Sequence, residues 1–323
     1  MANIIMSTSD FVSAEQATAF LAHHFRTDEP VAVTLIGEGA WSRCFGFRHD
    51  GADLAVRFGR HVDDFHKDER AARYATPDLP VPAVLAVGPA FAGYYAISQR
   101  AYGVPLENVS PDEWLEIVPS VVAVLEAMRT ADISATTGFG GWDAEGCGSH
   151  ATWSSHLLAV AEHSPEQRTY GWRDRLAQVP EGEQAFAWGL ALLETVVSDD
   201  IPRCLTHCDL INRNVLVDGG RITAVFDWGC SRYGDHLYDL AWFEFWAPWL
   251  PELDVLALRR ALQQRWDAVG YVPVDFERRL MACHLHIGLD HLGYNAFIGD
   301  HATLLATAER MRTLVAEGER AWM

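Results

Sequence analysis

The stretch from Thr206 to Trp228 constrains the fold of this 323-residue chain more than any other part of it. Two short apolar runs rich in β-branched residues, 215–217 and 222–226, are separated there by Asp-Gly-Gly, which is typical of a β-hairpin. An aspartate and an asparagine stand before the first run, and another aspartate follows the second run directly. The sequence therefore predicts a hairpin that gathers three oxygen-bearing side chains around its two ends.

These three side chains have the chemistry that phosphoryl transfer from ATP needs. The reaction requires a carboxylate that accepts the proton of the attacking hydroxyl, and further oxygen ligands that hold Mg²⁺ against the phosphates. We expect Asp209 to be the base and Asn214 and Asp227 to be the metal ligands, because their spacing matches the catalytic segment of kinases. The alternative is a polar hairpin whose Asp and Asn side chains only cap turns.

The overall composition narrows the class of protein. The length suits about two domains with a large core, and the formal net charge of −19 disfavours nucleic acid and anionic membranes as partners. The first ten residues lack the features of a signal peptide. No stretch approaches the ~20 apolar residues of a membrane helix, so the cytoplasm is the expected location. The six cysteines show no metal-ligand spacing.

The N-terminal third predicts a small lobe built mainly of strands. A capping box predicts a helix over 13–26, and five extended runs follow at 31–36, 43–47, 53–57, 84–87 and 93–98. The segment that includes Gly37, Gly39 and Ser42 joins the first two strands. Its backbone amides could cover nucleotide phosphates, although a hairpin of this kind is more often only a turn.

Arg57 is the expected phosphate-pairing cation. It lies at the end of the third strand, whereas the only lysine of the chain, Lys67, lies in a polar helical segment. An arginine fork can hold phosphate oxygens with two hydrogen bonds, and Glu69 in the same helical segment is the candidate ion-pair partner of that fork. The alternatives are a solvated charge at a sheet edge for Arg57 and a surface helix charge for Glu69.

The chain leaves the sheet in an extended hinge, where the backbone at Gln99 and Ala101 is expected to hydrogen-bond adenine. We therefore expect a nucleotide-binding lobe at 1–101 and a catalytic and acceptor-binding lobe at 102–323. The glycine-rich segment 136–142 is expected to be a loop. Helical patterns in the second lobe lie near 114–128, 183–198, 251–269, 275–295 and 300–317. The predicted class is α+β, with a five-stranded antiparallel sheet lobe carrying one helix and a larger, mainly helical lobe.

Together these residues resemble the aminoglycoside phosphotransferase family, a branch of the protein-kinase-like fold, and within it the hygromycin B type. The resemblance covers about 36–292 and is carried by LPVP at 79–82, TGFG at 137–140, GRITAVFDW at 220–228, GDHLYD at 234–239, FWAPWL at 245–250 and IGLDHL at 287–292. It implies a bilobal fold, ATP and Mg²⁺ as cofactors, and inactivation of an aminoglycoside by transfer of the γ-phosphoryl group to one of its hydroxyls.

The acceptor is expected to be a cationic small molecule, so its site needs fixed carboxylates. Asp290, inside an otherwise apolar run, is the first candidate and Glu244 the second. Asp239 is a further candidate, although anchoring the catalytic segment is the favoured role for it. Asn212 lies beside the reacting hydroxyl and bears on which hydroxyl is presented. Competing hypotheses are a kinase of a macrolide, a choline-like amine or a sugar metabolite, and a non-catalytic nucleotide-binding regulator.

Overall fold

The small lobe is a five-stranded antiparallel sheet with the strand order β1-β2-β3-β5-β4. The computed structural model describes residues 12–39 and 41–322, so the expectations about the first ten residues and about position 40 in the glycine turn lie outside it. The strands are β1 Val33–Glu38, β2 Ser42–His49, β3 Ala52–Gly59, β4 Val84–Ala90 and β5 Gly93–Gln99. The predicted sheet is confirmed, and its last strand ends at the expected hinge.

Two helices cover this sheet. Helix α1, Ala14–Phe25, begins at the predicted capping box, in which the Ser13 hydroxyl accepts from the backbone of Gln16. Its apolar face packs on the sheet core, which contains Phe45, Phe47, Val56, Phe58 and Ile97. Helix α2, Val62–Ala71, buries Phe65 and turns its polar face towards the second lobe. Helix α2 therefore belongs to the small lobe by sequence but contacts both lobes.

The larger lobe is mainly helical, as predicted. Among the described residues its helices are α3 Pro111–Arg129, α4 Trp153–Leu158, α5 Trp172–Leu176, α6 Pro180–Val196, α7 Leu237–Trp246, α8 Val255–Val269, α9 Phe276–Ile298 and α10 His301–Trp322. Helix α9 is the centre of the packing, since every side chain over 279–289 is buried. A helix that is buried on all sides needs apolar residues all round, and α9 contacts α5, α6, α7 and α10.

Short strands in the larger lobe carry the catalytic segment. They are β6 Val104–Pro105, β7 Phe139–Trp142, β8 Gly148–His150, β9 Cys204–Thr206, β10 Val215–Asp218, β11 Arg221–Val225 and β12 Arg232–Gly234. Strands β10 and β11 form the predicted hairpin, and β6 pairs with β10 directly after the hinge. A second sheet, β8-β7-β12-β9, places the strand before the catalytic loop beside the strand that follows Asp227.

The prediction of a loop over 136–142 is wrong, because Phe139–Trp142 is strand β7. The glycines that suggested a loop instead let this strand lie against its neighbours. Gly138 has a positive φ of 68°, and a Cβ on it would come within 2.7 Å of the Gly148 carbonyl oxygen. Among the described helices, none combines the length and apolar character that crossing a lipid bilayer requires.

Candidate active site

The catalytic loop is anchored from beneath by Asp239, in the first turn of α7. Its two carboxylate oxygens accept hydrogen bonds from the backbone amides of His207, at 3.0 Å, and Cys208, at 2.7 Å. The side chain is buried, and burial raises its pKa to about 6 while the two amides act in the opposite direction. The expectation that Asp239 contacts the acceptor is therefore wrong, because both oxygens are already occupied within the protein.

His207 joins the catalytic loop to the segment that ends at Asp227. Its Nε2 lies 3.1 Å from the carbonyl oxygen of Phe226, and its ring packs edge-on against Trp228. Burial lowers the pKa of His207 to about 4, so the ring is neutral at pH 7 and Nε2 carries the proton that it donates. The two ends of the hairpin are thereby held together by a side chain that does no proton transfer itself.

Asp209 is oriented by the two asparagines that follow it. Asn214 Nδ2 donates to one carboxylate oxygen at 3.0 Å and to the Asp209 carbonyl at 2.8 Å, while Asn212 Nδ2 donates to the other carboxylate oxygen at 2.6 Å. Burial raises the pKa of Asp209 well above its ordinary value, nearby Asp227 raises it further, and the asparagines lower it. The three residues expected to share an ion and an incoming alcohol therefore lie together.

The backbone of this loop adopts strained conformations that a hydrogen bond from the hinge side helps to hold. Cys208, Asn212 and Arg213 have positive φ values of 65°, 73° and 65°, a region that non-glycine residues rarely adopt. The Arg213 amide donates to Glu107 at 2.6 Å, just after the hinge. Sequence reasoning missed Glu107, since no local pattern links it to a loop more than a hundred residues away.

Asp227 stands at the opposite side of the site, with a positive φ of 63°. Its carboxylate lies 3.0 Å from Nη1 of Arg57, and 44% of its side chain is exposed. The other nitrogen of the fork, Nη2, binds Asp68 of α2. The prediction that Glu69 is the partner of Arg57 is wrong, because Glu69 lies on the outer side of the helix, where its nearest ionic neighbour is His66 at 3.5 Å.

Asp68 performs the role that was expected of Glu69 and adds a second contact. Its Oδ1 accepts a hydrogen bond from the Trp228 amide at 2.8 Å, directly after Asp227. Burial raises the pKa of Asp68 to about 6, the positive charge of Arg57 lowers it, and the like charge of Asp227 raises it. Asp68 and Glu69 are adjacent on α2 and therefore point in different directions. The sequence alone does not show which of the two faces Arg57.

A cavity of about 450 Å³ lies between the two lobes beside these groups. Its lining includes almost all of the predicted nucleotide-binding residues, namely Gly37, Gly39, Ser42, Arg57, Gln99 and Ala101, together with Asn212, Asn214 and Asp227. The predicted residue that does not line it is Glu69. The amides of Gln99 and Arg100 are used in pairing with Ala83 and Asp53, at 2.9 and 3.1 Å, so they are not available to a base.

The oxygen donors at this cavity suit a magnesium ion that is held jointly with phosphates. Asn214 and Asp227 offer an amide and a carboxylate oxygen at one end of the cavity, and Mg²⁺ typically takes one or two protein ligands plus phosphate oxygens and water. Within the described ranges no cluster of three or more His, Cys, Asp or Glu side chains could hold a metal ion by itself. Asn214 and Asp227 would therefore supply only part of the coordination shell of the ion, and phosphates and water would supply the rest.

Helix α9 and the turn after Asp227 both lie close to Asp209. Tyr294 of α9 is close enough that the charge of Asp209 adds to burial in raising its pKa. Asp290, one turn earlier, is exposed, and it interacts electrostatically with Arg232. Asp290 is therefore an exposed carboxylate on the same helix as Tyr294, and its role as an acceptor contact stays a prediction.

Glu244 does not meet the condition that made it a candidate. It is buried, and its carboxylate lies 3.2 Å from Arg259 and 3.1 Å from His284. The expectation that it is an unpaired carboxylate waiting for a cationic acceptor is wrong, because Arg259 already supplies the positive charge. The sequence shows an acidic residue on an apolar helix, but it does not show that the fold places Arg259 of α8 beside that residue.

The two lobes, the intervening cavity and the triad of Asp209, Asn214 and Asp227 define a phosphotransferase of the protein-kinase-like class. The model of the phosphotransferase enzyme family matches residues 32–272, and the chain belongs to that family. It is 33% identical over 285 residues to the hygromycin-B 4-O-kinase of Escherichia coli, an alignment that covers 87% of this chain and 79% of the relative.

Solved structures of aminoglycoside phosphotransferase APH(4)-Ia are similar as well. The ternary complex of a thermostable mutant with AMP-PNP and hygromycin B matches with a TM-score of 0.74 and 30% identity, over 93% of this chain and 98% of that one. The apo form of a thermostable mutant matches with a TM-score of 0.78 and 31% identity, over 93% and 99% of the two chains. The predicted family and the predicted kinase-like fold are thereby confirmed.

Proposed function

We propose that this protein is an ATP- and Mg²⁺-dependent phosphotransferase that phosphorylates a hydroxyl of an aminoglycoside, specifically hygromycin B, and so inactivates the antibiotic. The observation that carries the proposal is the Asp209 carboxylate, which is held in place by Asn212 and Asn214, two residues that line the cavity between the lobes. The similarity to the hygromycin-B 4-O-kinase and to APH(4)-Ia supports the choice of acceptor.

In the proposed reaction the γ-phosphoryl group of ATP is transferred to the acceptor hydroxyl, and Asp209 acts as the base. The acceptor oxygen forms a bond to the γ-phosphorus while the bond from that phosphorus to the bridging oxygen breaks, and ADP leaves. Asp209 accepts the proton of the attacking hydroxyl. A base of raised pKa suits this task, because its affinity for the proton is greater than that of an ordinary aspartate. The proton then passes to solvent.

The nucleotide is held by groups from both lobes. Arg57, kept in place by Asp68 and Asp227, supplies the cation for the phosphates, and the backbone around Gly37 and Gly39 covers them. Asn214 and Asp227 would hold Mg²⁺, which when bound neutralises charge on the phosphates of the nucleotide. The adenine base would be received by the Ala101 amide and by the backbone carbonyls of the hinge, since the amides of Gln99 and Arg100 are already paired. In this proposal 1–101 is the nucleotide-binding lobe and 102–323 is the catalytic and acceptor-binding lobe.

The acceptor contacts are proposed from the same geometry. Asp290 would bind an ammonium group of the acceptor, and Asn212 would lie beside the hydroxyl that reacts. The net charge of −19 favours a cationic acceptor and disfavours nucleic acid. We place the enzyme in the cytoplasm, where ATP is available as the donor.

A panel of acceptors incubated with ATP and MgCl₂, followed by mass spectrometry, tests the proposal. We expect hygromycin B to gain the mass of one phosphate, and a parallel reaction with AMP-PNP to leave it unchanged. The panel should include polyamine aminoglycosides, a macrolide, choline and simple sugars. Transfer to a macrolide, choline or a sugar but not to any aminoglycoside would contradict the acceptor assignment, and transfer to none, with ATP bound, would contradict the enzymatic role.

A further inference from the structure

The single lysine of the chain has no part in the site described above. Lys67 lies on α2, and its Nζ donates a hydrogen bond to the carbonyl oxygen of Gly229 at 2.8 Å. The ammonium group also lies 5.6 Å from the centre of the Trp142 ring. Burial lowers the pKa of Lys67, so its charge is held in this place at a desolvation cost. A partly buried charge that is hydrogen-bonded to the backbone of another segment is consistent with a structural or positioning task.

Gly229 belongs to the turn Trp228–Cys230, which we call the post-Asp227 turn. Two adjacent side chains of α2 bind it through successive peptide groups. Asp68 accepts from the amide of Trp228 at 2.8 Å, and Lys67 donates to the carbonyl of Gly229 at 2.8 Å. The turn is therefore hydrogen-bonded to α2 through one amide and one carbonyl group. Both groups directly follow Asp227, the residue expected to bind the metal.

The same turn also reaches the catalytic base. Cys230 lies close enough to both Asp209 and Asp227 that their negative charges contribute to raising the pKa of its thiol. The post-Asp227 turn thus lies between the metal side and the base side of the site. A displacement of the turn would change the distance between the phosphate donor and the hydroxyl acceptor, and a misplacement of about 1 Å can reduce a rate about 100-fold.

The contact surface between α2 and this turn leaves little room for adjustment. A Cβ on Gly229 would come within 3.0 Å of Oδ1 of Asp64, and Arg168 fixes Asp64 with two hydrogen bonds of 2.9 Å. On the other side of the ammonium, a Cβ on Gly141 would lie 3.6 Å from Nζ. The Lys67 ammonium therefore lies among the Gly229 carbonyl, the Trp142 ring and Gly141. A guanidinium is planar and spreads its donors over three nitrogens, so it does not repeat this single-point contact.

We propose that Lys67 is a positioning residue for phosphoryl transfer, acting by fixing the post-Asp227 turn between the metal-binding and base-bearing sides of the site. The inference rests on the proposed phosphotransferase function. Because Lys67 acts through the turn and touches neither substrate, its loss should lower kcat and spare substrate binding. For Lys67→Met we expect kcat to fall about 10- to 100-fold, with the KM values for ATP and hygromycin B each changing less than about threefold.

Three further variants define the role. Lys67→Arg keeps the charge but replaces the single ammonium with a planar fork of different geometry, so it should not restore kcat above the level of Lys67→Met. Gly229→Ala would crowd Asp64, a neighbouring α2 side chain that also contacts the turn, and should also lower kcat with little change in KM. His66→Gln, one residue away on the half-exposed side of α2, is the matched control and should behave as wild type.

Hydrogen exchange of the protein with AMP-PNP bound provides a readout that does not depend on the acceptor. We expect the peptide containing Trp228–Cys230 to exchange at least about 10-fold faster in Lys67→Met, with α8 unchanged. This arm still tests the contact between α2 and the turn if hygromycin B proves not to be the acceptor. The proposal would be overturned by unchanged exchange in the turn, by full kcat in Lys67→Met, or by a KM effect on hygromycin B larger than the kcat effect, which would mean direct contact with the acceptor.

Discussion

The nucleotide side and the acceptor side of this site differ in how their chemistry is assembled. The nucleotide side is built from short local segments, namely the glycine turn after β1, the end of β3, the hinge and the hairpin, and each contributes backbone groups or one charged side chain. The proposed acceptor side consists of α9, the post-Asp227 turn and β12, which meet only through tertiary packing. The nucleotide side can therefore be predicted from local sequence patterns. The acceptor side cannot, because it depends on which helix faces pack against each other.

The largest effect is expected from replacing the catalytic base, Asp209. We expect Asp209→Asn to reduce kcat about 10²- to 10⁴-fold, since an amide cannot accept the hydroxyl proton. Its thermal stability without ligand should equal or exceed that of wild type. The raised pKa means that the ionised carboxylate opposes folding at pH 7, above the ordinary pKa of an aspartate, and the substitution removes that charge. Substantial turnover, or a marked fall in melting temperature, would contradict this assignment.

The next test separates Asp68 from Glu69, which are neighbours in sequence but not in role. Asp68→Asn should lower kcat/KM for ATP about 100-fold, because Arg57 loses its anchor and the Trp228 amide loses an ionic acceptor. Glu69→Gln is the matched control and should stay within about twofold of wild type, since exposed ion pairs contribute little. Steady-state kinetics of both variants decide the point, and equal losses would restore Glu69 as the partner.

These two residues also show which parts of the fold and the site can be predicted from the sequence. The hairpin, the small sheet and Asp209, Asn214 and Asp227 follow from alternation, turn residues and spacing, which act over a few residues. The choice of Asp68 over Glu69 depends on the rotation of α2 against the other lobe. The partner of Glu244 depends on α8, which local sequence does not reveal. The strand at 139–142 pairs with the nearby β8 and with the distant β12, and its glycines made it resemble a loop in the sequence.

The pH dependence of turnover probes the electrostatics shared by both sides. Asp209 must be ionised to act as the base, and its pKa is raised by burial and by the charge of Asp227. The acid limb of kcat/KM should therefore lie at higher pH than an unperturbed aspartate, whose pKa is about 3.9, would give. A profile of kcat/KM for hygromycin B from pH 4 to 9 measures this limb. An acid limb at the ordinary value would mean that the carboxylate is solvated in the working enzyme.

The smallest expected effect separates Asp290 from Glu244, the two carboxylates that the sequence suggested as acceptor contacts. Asp290→Asn should raise KM for hygromycin B about 3- to 10-fold with kcat retained, because an exposed carboxylate gains only a modest, screened attraction for an ammonium group. Raising the salt concentration should weaken acceptor binding to wild type and reduce its advantage over the variant. Glu244→Gln should leave KM unchanged but lower the melting temperature slightly, because Arg259 loses one of its two carboxylate partners and keeps Glu277. If instead Glu244→Gln raises KM and Asp290→Asn does not, the acceptor approaches along α7 and not along α9.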